Sequence, residues 1–100
     1  MRYSIALDPQ ALDDLNHIRT YDRRKIVDTI ERILSTNPTQ VGRSRIKRLR
    51  GVDSPQFRLR VNGFRVFYDV YERTVYVLRV LPKGAVQGYL KEMGYGLENG

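Results

Sequence analysis

Two arginines set directly opposite each other are the first residues in this chain that ask for chemistry. Asn62-Gly63 is the strongest short hairpin signal a sequence offers, and a two-residue turn there fixes the pairing on either side. Val61 then faces Phe64, Arg60 faces Arg65, Leu59 faces Val66, Arg58 faces Phe67 and Phe57 faces Tyr68. Side chains alternate between the faces of a strand. Phe57, Leu59, Val61, Phe64, Val66 and Tyr68 therefore share a core face, while Arg58, Arg60, Arg65 and Phe67 share the other. Facing like charges destabilise a hairpin. A bound anion offsets that repulsion, and phosphate matches the guanidinium fork. Phe67 either stacks on a base or is covered by the C-terminal segment.

The arginine pair sits inside a wider basic window. Residues 43–65 carry eight bases and one acid, Asp53, so their +7 equals the net charge of the whole chain. Arg43, Arg45, Lys47, Arg48 and Arg50 join the hairpin arginines there as candidate polyanion-binding residues. So concentrated a charge points to a polyanionic or acidic partner, a solvated face being the plain alternative. Other chemistries are poorly supplied. With no cysteine there is no thiolate ligand, cysteine nucleophile or disulfide scaffold. His17, the single histidine, reads as a surface or packing residue of the first helix, and Asp13-Asp14 as a solvated helix face. The sheet offers Asp69 and little else to a metal nuclease. No metal and no cofactor are expected.

The elements that must hold these residues follow from periodicity. One hundred residues suffice for a single domain over 1–100, with 94–100 as a mobile tail. Alternation predicts a first strand over 2–7. Asp8-Pro9 caps a helix running to about Arg19, with Ala11, Leu12, Leu15 and Ile18 inward. Asp22 is a second cap candidate, ahead of a helix over 23–35 that buries Ile26, Val27, Ile30, Ile33 and Leu34. Asn37-Pro38 ends it. A basic connection follows, with a short strand near 46–49, then strands over 57–61, 64–71 and 75–81 and a short helix over 85–93. The fold class is α+β: a small antiparallel sheet with an N-terminal helical hairpin on one face, in the order β-α-α-β-β-β with a possible terminal helix. No apolar run is long enough for a membrane span, and Met1-Arg2-Tyr3-Ser4 shows no signal-peptide pattern, so a cytoplasmic protein is expected.

At these residues the chain resembles the RelE/ParE toxin superfamily of toxin–antitoxin pairs. The likeness runs to about Tyr89. It lies in the element order, in Leu49-Arg50-Gly51, in Phe57-Arg58-Leu59-Arg60, and in Gly63-Phe64-Arg65-Val66-Phe67-Tyr68. It implies a cognate antitoxin, acidic and wrapping, in a heterodimer or heterotetramer. It further implies a ribosome-dependent endoribonuclease that cuts mRNA if the chain follows the RelE branch, or an inhibitor of DNA gyrase if it follows the ParE branch. The RelE pattern has basic residues at Arg58, Arg60 and Arg65, then an arginine after the last strand and a tyrosine six residues later. Here Lys83 and Tyr89 keep that spacing, displaced toward the C-terminus. The catalytic set so implied is Arg58, Arg60, Arg65, Lys83 and Tyr89. RNA brings its own nucleophile, the 2′-OH, so such a site need only align the strand, stabilise charge on phosphorus and protonate the leaving oxygen.

Overall fold

The computed structural model describes residues 2–42 and 45–95. The chain runs β1 (Ser4–Leu7), α1 (Pro9–Asn16), α2 (Thr20–Thr29), β2 (Ile46–Arg48), β3 (Phe57–Val61), β4 (Phe64–Tyr71), β5 (Thr74–Pro82) and α3 (Val86–Glu92). The predicted α+β order therefore holds, and the short strand in the basic connection is real. The tail over 96–100 lies outside the described residues.

The sheet order is β1-β5-β4-β3-β2. The β3–β4 register is the one the two-residue turn dictates, from Val61↔Phe64 to Phe57↔Tyr68. One expectation needs correction: the sheet is mixed, because β1 runs parallel to β5. Two helices separate β1 from the three-strand meander, and such a crossover lets the first strand join the far edge in either direction.

The helices differ from expectation at their ends. Asp8 caps α1 by accepting from the Gln10 N–H at 3.2 Å, with Pro9 in the first turn. Asp22 caps nothing. It lies in the first turn of α2, which begins at Thr20 with Arg19 as its N-cap. After Thr29 the helix widens into a π-type turn, Ile30–Leu34. The Ser35 hydroxyl donates to the Glu31 carbonyl and the Thr36 hydroxyl to that of Arg32, a back-bonding habit that competes with the regular ladder. The widened turn buries Ile30 and Leu34, whereas Leu12 and Val27, assigned to the inward stripes, are exposed.

Two apolar clusters lie on opposite faces of the sheet. Under α1 and α2, Ala11, Leu15, Ile26, Ile30 and Leu34 meet Phe57, Leu59, Val61, Val66 and Tyr68. Tyr68 is fully buried, and its hydroxyl donates to the Pro38 carbonyl at 2.6 Å. Burial pushes that hydroxyl far above the usual tyrosine range. On the other face α3 closes over Leu49, Phe67, Leu81 and its own Tyr89.

Candidate functional site

The arginine face is made by β2, β3 and β4 together. Lys47 pairs with Arg58, Arg58 with Phe67 and Arg60 with Arg65. By alternation Lys47 shares the face of Arg58, whereas Arg48 turns to the opposite face, its guanidinium 5.0 Å from the Phe57 ring centroid. The basic connection thus divides. Arg50 is exposed beyond the strand, and Arg43 lies outside the described residues.

The hairpin tip preorganises one arginine. Asn62 adopts a left-handed backbone (φ 53°). Its carbonyl accepts from Arg65 Nη1 at 2.9 Å, and the Phe64 carbonyl accepts from the same nitrogen at 3.0 Å. Burial, then the neighbouring Arg60, pull the Arg65 pKa down. Arg58 is lowered too, by burial first and then by Arg65 and Arg60. The Arg58 Nε is buried and has no hydrogen-bond partner among the described residues. An unmet donor among repelling cations is a stored electrostatic cost that an anion would relieve.

Beside the tip lies an open cavity of about 500 Å³ lined by Arg45, Arg60, Asn62, Gly63, Arg65 and Lys83. Four cations and no carboxylate line it among the described residues. The Lys83 backbone N–H donates to the Gly63 carbonyl at 2.9 Å, which ties the end of β5 to the turn. Lys83 and Arg45 thereby join Arg60 and Arg65, although 38 residues separate the two in sequence. Tyr89 does not line this cavity. It packs on Phe67 at 5.1 Å between ring centroids, and burial pushes its hydroxyl up to about 12. Phe67 is fully buried. With α3 docked it offers no surface to a base: of the two roles expected of Phe67, stacking on a base is set aside and cover by the C-terminal segment holds.

Two further residues matter that periodicity misreads. Asp14, expected to be solvated, accepts from Arg79 Nε at 2.8 Å, from Arg79 Nη2 at 3.0 Å and from the Val80 N–H at 2.8 Å. It satisfies a β5 backbone donor beyond the reach of β1. Arg79 in turn lies 5.5 Å from the Tyr89 ring centroid, so α1, β5 and α3 meet at one ion pair. Arg79 is brought there by a bulge: Phe67 pairs with Arg79 but Tyr68 with Val77, leaving Leu78 extra. No single-strand pattern signals such a bulge. Asp69 is structural as well, accepting from the Ser54 hydroxyl at 2.6 Å and the Gln56 N–H at 2.7 Å. Among the described residues no group of three His, Cys, Asp or Glu is placed to hold a metal ion, and no helix is long and apolar enough to cross a membrane.

A family model described as the ParE toxin of the type II toxin–antitoxin system parDE matches residues 5–85. The chain belongs to this family. It is a toxin of a toxin–antitoxin system, within the wider RelE/ParE superfamily. No curated protein matches the sequence. Among solved structures the toxin is similar to a chain of the RelBE2 toxin–antitoxin complex of Mycobacterium tuberculosis, with 25% identity and a TM-score of 0.69 over 82% of this chain and 92% of that one. The RelB–RelE complex of Methanococcus jannaschii gives 24% identity and a TM-score of 0.65, over 84% and 96%. The chromosomal ParDE system of Pseudomonas aeruginosa gives 17% and 0.59, over 81% and 96%. Both branches thus share the fold of this toxin.

Proposed function

We propose that this toxin cuts mRNA on the ribosome without a metal ion and so stops translation. The observation that carries the reading is the cavity at the hairpin tip, where Arg45, Arg60, Arg65 and Lys83 converge with no acid among them. Charge that develops on a phosphorane is stabilised by fixed donors that need not reorganise. Arg65 is such a donor, held by two backbone carbonyls, and Arg60 faces it. Arg58 adds an Nε–H that no described residue accepts. Arginine keeps its proton, so the leaving 5′-oxygen takes its proton from Lys83. Tyr89 is the poorer donor while α3 covers Phe67. The same face suits an acidic antitoxin segment that wraps the toxin and folds on binding, in a cytoplasmic heterodimer or heterotetramer.

The test is the chemistry of RNA ends in cells expressing the toxin. Attack by the 2′-OH, whose proton passes to water, breaks the bond from phosphorus to the 5′-oxygen and leaves a 2′,3′-cyclic phosphate, which water opens to a 3′-phosphate. Arg65→Ala should remain folded, because it relieves repulsion, and should lose on the order of 10²–10³ in cleavage rate. The family description favours one other reading, inhibition of DNA gyrase through protein contact. Growth arrest with intact mRNA, altered supercoiling and full toxicity of Arg65→Ala would select that reading instead.

A further inference from the structure

A second cavity, of about 180 Å³, adjoins the first and shares Arg45 and Asn62 with it. Its other walls are Lys25, Asp28 and Thr29 of α2, Arg32 of the π-type turn that continues it, and Val61 of β3. Periodicity alone assigns α2 no functional role, because its inward stripe explains its pattern, although over 23–35 the four bases Arg23, Arg24, Lys25 and Arg32 outnumber Asp28 and Glu31. The fold brings the outward face of α2 beside the hairpin tip. Tyr21 stands one turn before Lys25, 71% exposed, with the Lys25 ammonium 5.7 Å from its ring centroid. An exposed aromatic ring among cations, continuous with a cationic cavity, is the composition of a single-strand nucleic-acid path: cations follow the backbone and rings take bases.

We propose that single-stranded RNA leaving the hairpin-tip cavity passes over Asn62 onto α2 and the π-type turn that continues it, where Lys25 and Arg32 hold the next phosphates, Arg45 bridges the two cavities and a base stacks on Tyr21. This deepens the RNA reading and rests on it. Asp28 lies 3.9 Å from the Arg32 guanidinium and tempers the cradle. It makes this cradle weaker than the tip, where no described residue is acidic, and so orders the two along the strand. An acidic peptide is the less suited occupant, since the tyrosine and the acid suit a stacked base and a spaced backbone better than a run of carboxylates.

The experiment measures binding of two uncleavable 2′-O-methyl RNAs, a trinucleotide and a decanucleotide, by fluorescence anisotropy across a salt series. The trinucleotide fills the tip alone, and the decanucleotide reaches α2. Wild type should bind the longer RNA more tightly. Lys25→Ala with Arg32→Ala should weaken the decanucleotide roughly 20-fold at about 0.1 M salt and flatten its salt slope by about 1.4, from roughly 0.7 per phosphate contact. Trinucleotide affinity should stay unchanged. Tyr21→Ala should cost the decanucleotide about fivefold or more. Asp28→Asn should tighten it, an effect that loss of structure cannot imitate. Equal affinity of wild type for both lengths, or a decanucleotide indifferent to Lys25 and Arg32, overturns the path and leaves the tip intact. A duplex RNA that needs Lys25 and Arg32 yet leaves the trinucleotide bound also overturns it, assigning the cradle to a separate helical segment. Failure of wild type to bind either RNA removes the RNA reading and the path with it. Variants that bind RNA normally but lose antitoxin assign α2 to the protein partner and overturn the path.

Discussion

Lys83 and Tyr89 keep a six-residue spacing in the sequence but separate in the folded chain. Lys83 is exposed beside Arg60 and Arg65, whereas Tyr89, on α3, is buried against Phe67. If Lys83 is the general acid, Lys83→Ala should lower cleavage about 10²-fold or more, and Tyr89→Phe should leave the cleavage step within a few-fold of wild type. Single-turnover cleavage on programmed ribosomes measures both, and the reverse order would return the role to Tyr89. Lys47 and Arg48 separate in the same way, one residue apart but on opposite faces of β2. Lys47→Glu should weaken RNA binding and flatten the salt slope by roughly 0.7 for the lost contact. Arg48→Glu should leave the slope unchanged and cost at most about 1 kcal/mol of stability through the lost Phe57 contact. A salt titration of both variants checks this.

At the scale of elements, the ion pair of Asp14 and Arg79 joins α1 to β5 and supports the ring of Tyr89 on α3. Asp14 is mostly buried, at 13% side-chain exposure, and meets three donors. Asp14→Ala leaves the Val80 N–H and the Arg79 guanidinium unmet. It should destabilise the fold by about 2–3 kcal/mol, more than an exposed ion pair would. Asp13→Ala, on the exposed neighbour, should cost under about 0.5 kcal/mol. Chemical denaturation of the two variants compares them directly. The contrast would have been hard to foresee, since Asp13 and Asp14 both lie outside the apolar stripe of α1 and only the bulged β5 tells them apart.

Across the whole molecule, the two faces of the sheet bury one tyrosine each. Tyr68 and Tyr89 are both raised by burial, Tyr89 to about 12 and Tyr68 further. A tyrosine whose folded pKa is raised holds its proton more tightly in the folded chain. Its contribution is complete below the ordinary value of about 10 and is lost as pH rises through the folded value. Stability should therefore fall between about pH 10 and 12, with α3 loosening first. Phenolate absorbance should show the late ionisation of Tyr68 and Tyr89, with one late-ionising group fewer in Tyr89→Phe. Much of this molecule was legible without coordinates. The Asn62-Gly63 turn set the β3–β4 register, and with a period of two that register set which residues face the core and which arginines face each other. Those are local facts, fixed by neighbours in the chain. The parallel placement of β1, the burial of Phe67, the departure of Arg48 from the basic face, the pairing of Asp14 with Arg79 and the convergence of Lys83, Arg45 and α2 on the hairpin tip all depend on residues distant in sequence. Each is decided by which surfaces must be covered once the sheet exists. A strand exposes two faces and a β5 edge, and only the assembled chain determines which helix or side chain covers each.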